Sequence, residues 1–451
     1  LTLYRTTILS VLEYGSFCFQ SAAKTHIIKL ERIQYRCLRI ALGCMHSTHT
    51  MSLEVLAGVL PLSERFSELS FRFLTRCEVM NPLVIANFEK LLELNPQTRF
   101  MSIYYVYITQ EVSPSQHISN RVCFSDFGNS VQFDLSMTEE IRGIPEHHRA
   151  MIVPSIYAAK FGQLNPARTF FTDGSLIEES AAFGVHNEFH SATRKLQAPC
   201  SVYVAELAAI HYTLETIASL PPEHYFIITD SLSSVEAIRS MRPAKHSSYF
   251  LMKIRELLSA LSSRSFAITF AWVPSHCSIP GNEQADSLAK LGAMEGVIYE
   301  RQIAYNEFFF IYRQQSLASW QRKWNEGSLG RWLYSIIPKV SKSPWFKGLD
   351  EGRDFIRVMS RLMSNHYSLN AHLFRIGLGE GNLCDCGQGY QDADHIIWYC
   401  AEHRGVRSEL YNSLRARGRQ PNVPIRDILG SRDLEFMKLI YVFLKDINLR
   451  L

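Results

Sequence analysis

The chain contains no run of eighteen or more uncharged apolar residues, the length a membrane-spanning helix needs, so no membrane partner is expected. Its N-terminus lacks the basic, apolar and small-residue order of a signal peptide. It begins with Leu1 rather than Met, and we expect it to be the C-terminal part of a longer chain. Internal repeats and long low-complexity tracts are missing too. So is a disulfide framework. The ten cysteines are spread irregularly, and Cys18, Cys37, Cys44 and Cys77 stand alone within apolar runs, which reads as buried thiols in a reducing compartment, nuclear or cytoplasmic. Strong net charge is absent, with 47 Lys and Arg against 43 Asp and Glu, so charge alone selects no partner. Disorder is excluded by 47% hydrophobic against 20% charged residues.

What is present is organised in segments. At 451 residues, about three domains are expected. Residues 1–77 are basic and helical in pattern. In HIIKLERIQYRCLRIALG, Ile27, Leu30, Ile33, Cys37 and Ile40 fall at helical spacing, Lys29, Arg32, Arg36 and Arg39 take the other faces, and Gly43 is placed to end the helix. Residues 78–166 are weakly patterned and proline-rich, as in a connector, with a strand-like run at SIYYVYI (102–108). Residues 167–293 alternate strands and helices: RTFFTDGS, AAFGVHNEF, YFIITDS and FAITFAWVPSH read as strands. VYVAELAAIHYTLETIASL, SSVEAIRSM, FLMKIRELLSAL and GNEQADSLAKLG read as helices, the last opened by Asn282 as a cap and closed at Gly292. Mixed order of this kind indicates an α/β sandwich. Residues 294–380 are helical, with Trp320, Trp324 and Trp332 as core. A Cys/His module spans 381–404 and a helical tail 405–451.

Four acids carry the chemistry. Asp173 and Asp230 each follow an apolar strand and precede a Ser or Gly-Ser turn; neighbouring strands ending on one edge would bring both to the crevice where α/β folds bind ligands. Glu206 lies in the first turns of an apolar helix, and Asp286 one turn into another, on the face bearing Asn282 and Glu283. Taken singly, each is explained by a turn, a solvated face or a helix dipole. Together, in apolar surroundings, they need compensation by a cation. Mg²⁺ suits hard oxygen ligands, and two ions about 3.5–4 Å apart activate water and stabilise a leaving oxygen in phosphodiester hydrolysis.

FTDGS, AELAAI, IITDS and WVPSHCSIPGNEQAD together resemble the type 1 ribonuclease H family, from about Arg168 to Gly292. The resemblance implies an α/β fold with a five-stranded mixed sheet flanked by helices. It implies two Mg²⁺ or Mn²⁺ ions held by Asp173, Glu206, Asp230 and Asp286, and assistance by His276 in product release or proton transfer. The implied activity is hydrolysis of the RNA strand of an RNA–DNA hybrid. Gly174, Ser175, Ser231 and Asn282 are candidate contacts to the hybrid's backbone or 2′-hydroxyls. The loop departs from the family at Ser278, where relatives more often carry glycine.

The flanks point to a setting. LYRTTILSVLEYGSFCF with KLERIQYRCLRIALG resembles the thumb-side end of the reverse transcriptase of jockey-like non-LTR retrotransposons. HYSLNAHLFRIGL, followed by the cysteine cluster, resembles the C-terminal region of the same polyproteins. The paired-aspartate polymerase motif Phe/Tyr-x-Asp-Asp is absent from the chain. Cys384, Cys386, His395 and Cys400 offer three thiolates and an imidazole within a short loop, a donor set for structural Zn²⁺, with His403 as a substitute ligand. The competing readings are a transposase or integrase with a related sheet, and an inactive nucleic-acid-binding remnant.

Overall fold

In the computed structural model the described residues are 1–94, 104, 106, 107, 128–178, 180–196, 200–240, 249–299, 308–449 and 451. They divide into two compact units, one built on Leu1–Ser70 and Arg313–Leu451, the other on Phe71–Gln97 and Tyr104–Tyr312.

The first unit is helical. Its helix Lys24–Leu42 ends at Gly43, whose φ of 67° is the left-handed conformation that glycine adopts at little cost. The buried face differs from the expected one: Gln34, Leu38 and Leu42 are buried, whereas Ile33 and Ile40 are 43% and 60% exposed. A polar residue therefore sits on the core row, and its amide is satisfied there. Tyr4 Oη donates to Gln34 Oε1 at 2.6 Å, and Gln34 Nε2 donates to Glu54 Oε1 at 3.1 Å. The tryptophans behave as core, with Trp320 and Trp324 fully buried and Trp332 packed against the same cluster. Of the isolated cysteines, Cys44 and Cys77 are buried but Cys18 is exposed.

In the second unit seven strands form one sheet, in the order β1-β6-β5-β2-β3-β4-β7, where five were expected. These are β1 (Val131–Asp134), β2 (Thr169–Ile177), β3 (Ser180–His186), β4 (Ser191–Leu196), β5 (His224–Thr229), β6 (Ala267–Trp272) and β7 (Val297–Tyr299). β2-β3-β4 is an antiparallel meander; β5 and β6 join β2 in parallel, β1 adds to β6, and β7 adds to β4. The sheet thus runs past both ends of 167–293. The segment read as a connector supplies β1 and a helix, α1 (Glu146–Phe161). Of the run 102–108, Tyr104, Val106 and Tyr107 are helical rather than extended, and its other residues lie outside those described.

Four further helices cover the sheet: α2 (Val202–Ala218), α3 (Leu232–Arg239), α4 (Tyr249–Ser263) and α5 (Pro280–Glu295). α2 is apolar nearly all round because it packs on β2 on one side and α4 on the other. Its Val204, Leu207, Ile210 and Leu214 share a core with Phe183, Val185 and Ile227. α5 lies on the opposite face, close enough to β3 that a Cβ on Gly184 would meet Ala285 O at 2.2 Å. α5 starts at Pro280, the favoured residue for a first turn, and ends at Glu295. Asn282 is thus inside the helix rather than its cap, and Gly292 does not close it.

Candidate active site

β2 and β5 run parallel only as far as Thr172 opposite Thr229. Asp173 and Asp230 are the next residue on each chain, where the two strands stop pairing and the C-terminal edge of the parallel sheet opens. Asp173 itself is not strand-terminal as expected. β2 continues through it on the other side, with Asp173 opposite Gly184 and pairing maintained to Ile177.

Glu206 reaches this edge because α2 lies unusually close to β2. A Cβ on Gly174 would fall 2.6 Å from Glu206 N and 2.9 Å from Ala205 C, so only glycine permits the approach. Gly174 therefore packs backbone against backbone, and its N–H favours the charged forms of Asp173 and Glu206 against their burial. One oxygen each from Asp173, Glu206 and Asp230 lies within 4.8 Å of the others. Asp286 lies beside Asp173, whose carboxyl its charge pushes up, and is itself held by Lys290, whose Nζ donates to Asp286 Oδ2 at 2.6 Å. Three acids of the quartet thus meet, with Asp286 beside Asp173. A second group, His276 with Glu283 and Asp286, also has ligand atoms within 4.8 Å of one another.

The electrostatics follow from burial. Asp173 is pushed up to about 8, first by desolvation and then by the charges of Asp230 and Asp286. Glu206 is raised well above its ordinary range by burial and by Asp173 and Asp230. Asp230 is also raised by burial, opposed by the amide of Asn282, whose Nδ2 donates to its Oδ2 at 3.3 Å, and by His276. Glu206 Oε2 is buried without a hydrogen-bond partner. Converging carboxylates with an orphaned buried oxygen and no cationic side chain inside the triad suit divalent cations with oxygen preference, so the residues present fit Mg²⁺ or Mn²⁺.

Of the candidate substrate contacts, Asn282 is buried against Asp230, and Gly174 is half-buried and packed against α2. Ser175 and Ser231 are half-exposed. His276 stands on the loop after β6 and is exposed, as is Ser278; both have left-handed backbone, φ 53° and 59°. Glycine would be unstrained at 278, which gives the family's preference there its reason. Ser278 N donates to Glu283 Oε1 at 3.2 Å. Lys290 and Glu283 were not foreseen as site residues. Their one signal is position, Lys290 four residues after Asp286 and Glu283 on the same helix face.

The cysteine cluster also assembles. Cys384, Cys386, His395 and Cys400 bring their ligand atoms within 4.8 Å of one another, and His403 is not among them. Cys384 Sγ and Cys400 Sγ are 3.7 Å apart, and Cys386 Sγ is 3.2 Å from His395 Nε2. With Zn–S near 2.3 Å, a tetrahedral edge is about 3.7–3.8 Å, so the donor set and spacing fit zinc. The loop is braced by Arg407, a buried guanidinium donating to the carbonyls of Ile396, Ile397 and Cys400. Backbone donation from Gln388, aided by His395, lowers the Cys386 thiol to about 6, toward the thiolate a metal requires.

Residues 165–294 match the sequence model of the family described as RNase H. Curated relatives include the Retrovirus-related Pol polyprotein from type-1 retrotransposable element R1 of Bradysia coprophila, 26% identical over 102 residues, 23% of this chain and 10% of that protein. The corresponding R1 polyprotein of Popillia japonica is 29% identical over 109 residues, 24% of this chain and 41% of its own length. A putative 115 kDa protein of element R1DM from Drosophila melanogaster is 32% identical over 92 residues, 20% of this chain and 9% of that protein. The matched stretches span well under two thirds of these relatives. Residues 165–294 are an RNase H domain, set in a chain similar to non-LTR retrotransposon polyproteins.

Proposed function

We propose that this chain is an endoribonuclease that hydrolyses the RNA strand of RNA–DNA hybrids, as part of a retrotransposon polyprotein that removes template RNA after first-strand synthesis. The observation that carries the reading is the convergence of Asp173, Glu206 and Asp230 within 4.8 Å, with Asp286 close enough to push up the carboxyl of Asp173. When bound between these acids, two divalent ions supply an activated water and neutralise charge at the leaving 3′ oxygen of a phosphodiester.

The chain's own residues do the rest. Asp173, at the meeting point of β2, α2 and α5, would hold the ions together with Glu206, Asp230 and Asp286. Lys290 orients Asp286 for that role through its bond to Oδ2. Asn282 fixes the carboxylate of Asp230. His276, exposed above Asp286 and Glu283, is placed to move a proton to or from the departing product. The half-exposed Ser175 and Ser231 contact the hybrid's backbone. Cys384, Cys386, His395 and Cys400 would hold a structural Zn²⁺, which would tie their loop together.

The test is cleavage of a labelled RNA–DNA hybrid in Mg²⁺ with a chelator control. Wild type should cut the RNA strand to 5′-phosphate and 3′-hydroxyl ends, and Asp173→Asn should not. Equal cutting by the two proteins sinks the site assignment. Hybrid binding without cleavage, in wild type with Mg²⁺ or Mn²⁺, supports the inactive remnant instead.

A further inference from the structure

We propose that the segment from β1 to α1, which lies upstream of the matched residues 165–294, is a positioning element for His276. The inference rests on the nuclease reading and deepens it. Residues 131–161 were read as connector, yet they are built into the sheet next to the strand that delivers His276. β1 pairs along the whole of its length with β6, Val131 opposite Ile268 and Asp134 opposite Ala271. β6 then leads directly into the His276 loop.

That loop is in an unfavourable backbone state. His276 and Ser278 both adopt left-handed φ, a region non-glycine residues populate rarely unless their surroundings impose it. The side chains of these two residues are exposed and cannot impose it. The residue between them can. Cys277 is buried, and with Ile279 it enters a cluster containing Val273, Ala271, and Met137, Ile141, Val153 and Phe161 of the upstream segment. Burying 277 while 276 and 278 face solvent is what the two left-handed residues accomplish.

The upstream half of this clamp is itself anchored. Lys160, in the last turn of α1, donates to Ser136 Oγ at 2.8 Å and pairs with Glu140 at 3.2 Å. Ser136 in turn caps Asp134, the last residue of β1, through its backbone N–H at 2.9 Å. α1, β1 and the His276 loop therefore form one packed group, centred on Met137, Val153, Phe161 and Cys277. Loosening α1 frees the loop to relax and moves His276 off its position while the quartet stays in place.

The test uses the full chain. Val153→Ala, and Val153→Ala with Phe161→Ala, are made in the wild-type and His276→Ala backgrounds and assayed on the hybrid in Mg²⁺. We expect kcat to fall about tenfold in the wild-type background with KM within about twofold, and no further fall in the His276→Ala background. Equal losses in both backgrounds would mean general destabilisation and overturn the proposal, as would unchanged kcat in both clamp variants. Hydrogen exchange supplies the readout independent of catalysis: the peptide covering 273–279 should exchange faster in Val153→Ala, with the α2 peptide unchanged. Unchanged loop exchange overturns the clamp even if the milder variant alone folds. Faster loop exchange in a chain whose wild type cuts no hybrid upholds the clamp and sinks the nuclease reading instead.

Discussion

Removing the charge at Asp173 should abolish cleavage and yet stabilise the metal-free protein, and the size of that gain can be worked out. Asp173 has an unfolded-state value near 3.8 and is pushed up to about 8 in the fold, by burial first and by Asp230 and Asp286 next. A raised carboxyl binds its proton more tightly folded than unfolded. It costs nothing below the unfolded value, and stability falls as pH climbs from there through the folded value. At about 1.4 kcal/mol per unit, that shift alone amounts to roughly 3 kcal/mol at pH 6 and about 5 kcal/mol at pH 8. The repulsion is shared with Glu206 and Asp230, so about half should be recovered by Asp173→Asn. In a domain of this size that is a rise in Tm of roughly 5–10 °C at pH 8. The assay is thermal unfolding of wild type and Asp173→Asn in EDTA at pH 4 and pH 8. The gain should be present at pH 8 and nearly vanish at pH 4, and Mg²⁺ should raise the Tm of wild type far more than that of the variant. A loss of stability at pH 8 in EDTA, or a gain independent of pH, refutes the reasoning.

Other substitutions test other parts of the site. Gly174→Ala forces a methyl to within 2.6 Å of Glu206 N, and should cost about 1–3 kcal/mol in urea unfolding and remove Mg²⁺-dependent cleavage with it. Ser278→Gly relieves a residue held at φ 59°, and should raise stability by about 1 kcal/mol in the same measurement while leaving the acid cluster intact. Cys400→Ser should lower bound zinc, read by metal analysis of the purified chain, from one equivalent to far less. Its unfolding transition should drop while hybrid cleavage persists, because the cysteine cluster and the acid cluster belong to different compact units.

The acids were legible because each sat in a local pattern that burial makes costly. FTDGS and IITDS are apolar strands interrupted by a carboxylate, and AELAAI is an apolar helix with one acid. What the pattern could not show is how β2 uses Asp173. The Asp-Gly-Ser tripeptide reads as a turn, and turns favour those residues. In the fold it is continuous strand, because β3 pairs with it to Ile177 and because Gly174 is needed for helix approach rather than for bending. The buried face of the helix Lys24–Leu42 was misread for a related reason. Its core row passes through Gln34, and an apolar periodicity discards a polar residue whose amide is satisfied only by distant partners, Tyr4 and Glu54.

The edges of the sheet were illegible for a different cause. β1 is four residues and β7 three, too short for alternation to register, and β4 carries Arg194 and Lys195. Such strands have little hydrophobic drive of their own and form because a neighbour already presents unpaired backbone groups. β7 shows how the pairing is then secured. Tyr299, its last residue, is buried among Phe183, Tyr212 and Phe250, and its Oη donates to Glu215 Oε2 at 2.6 Å beside His211 Nδ1 at 3.0 Å. One aromatic anchor, reaching over the sheet to α2, does for the β4 edge what Val131 and the buried side chains of α1 do for the β6 edge. A family match that ends at residue 294 therefore stops short of Tyr299 on one side and begins after β1 on the other. The sheet is set by where apolar surface and backbone edges are covered, and it runs from Val131 to Tyr299, within the larger second unit.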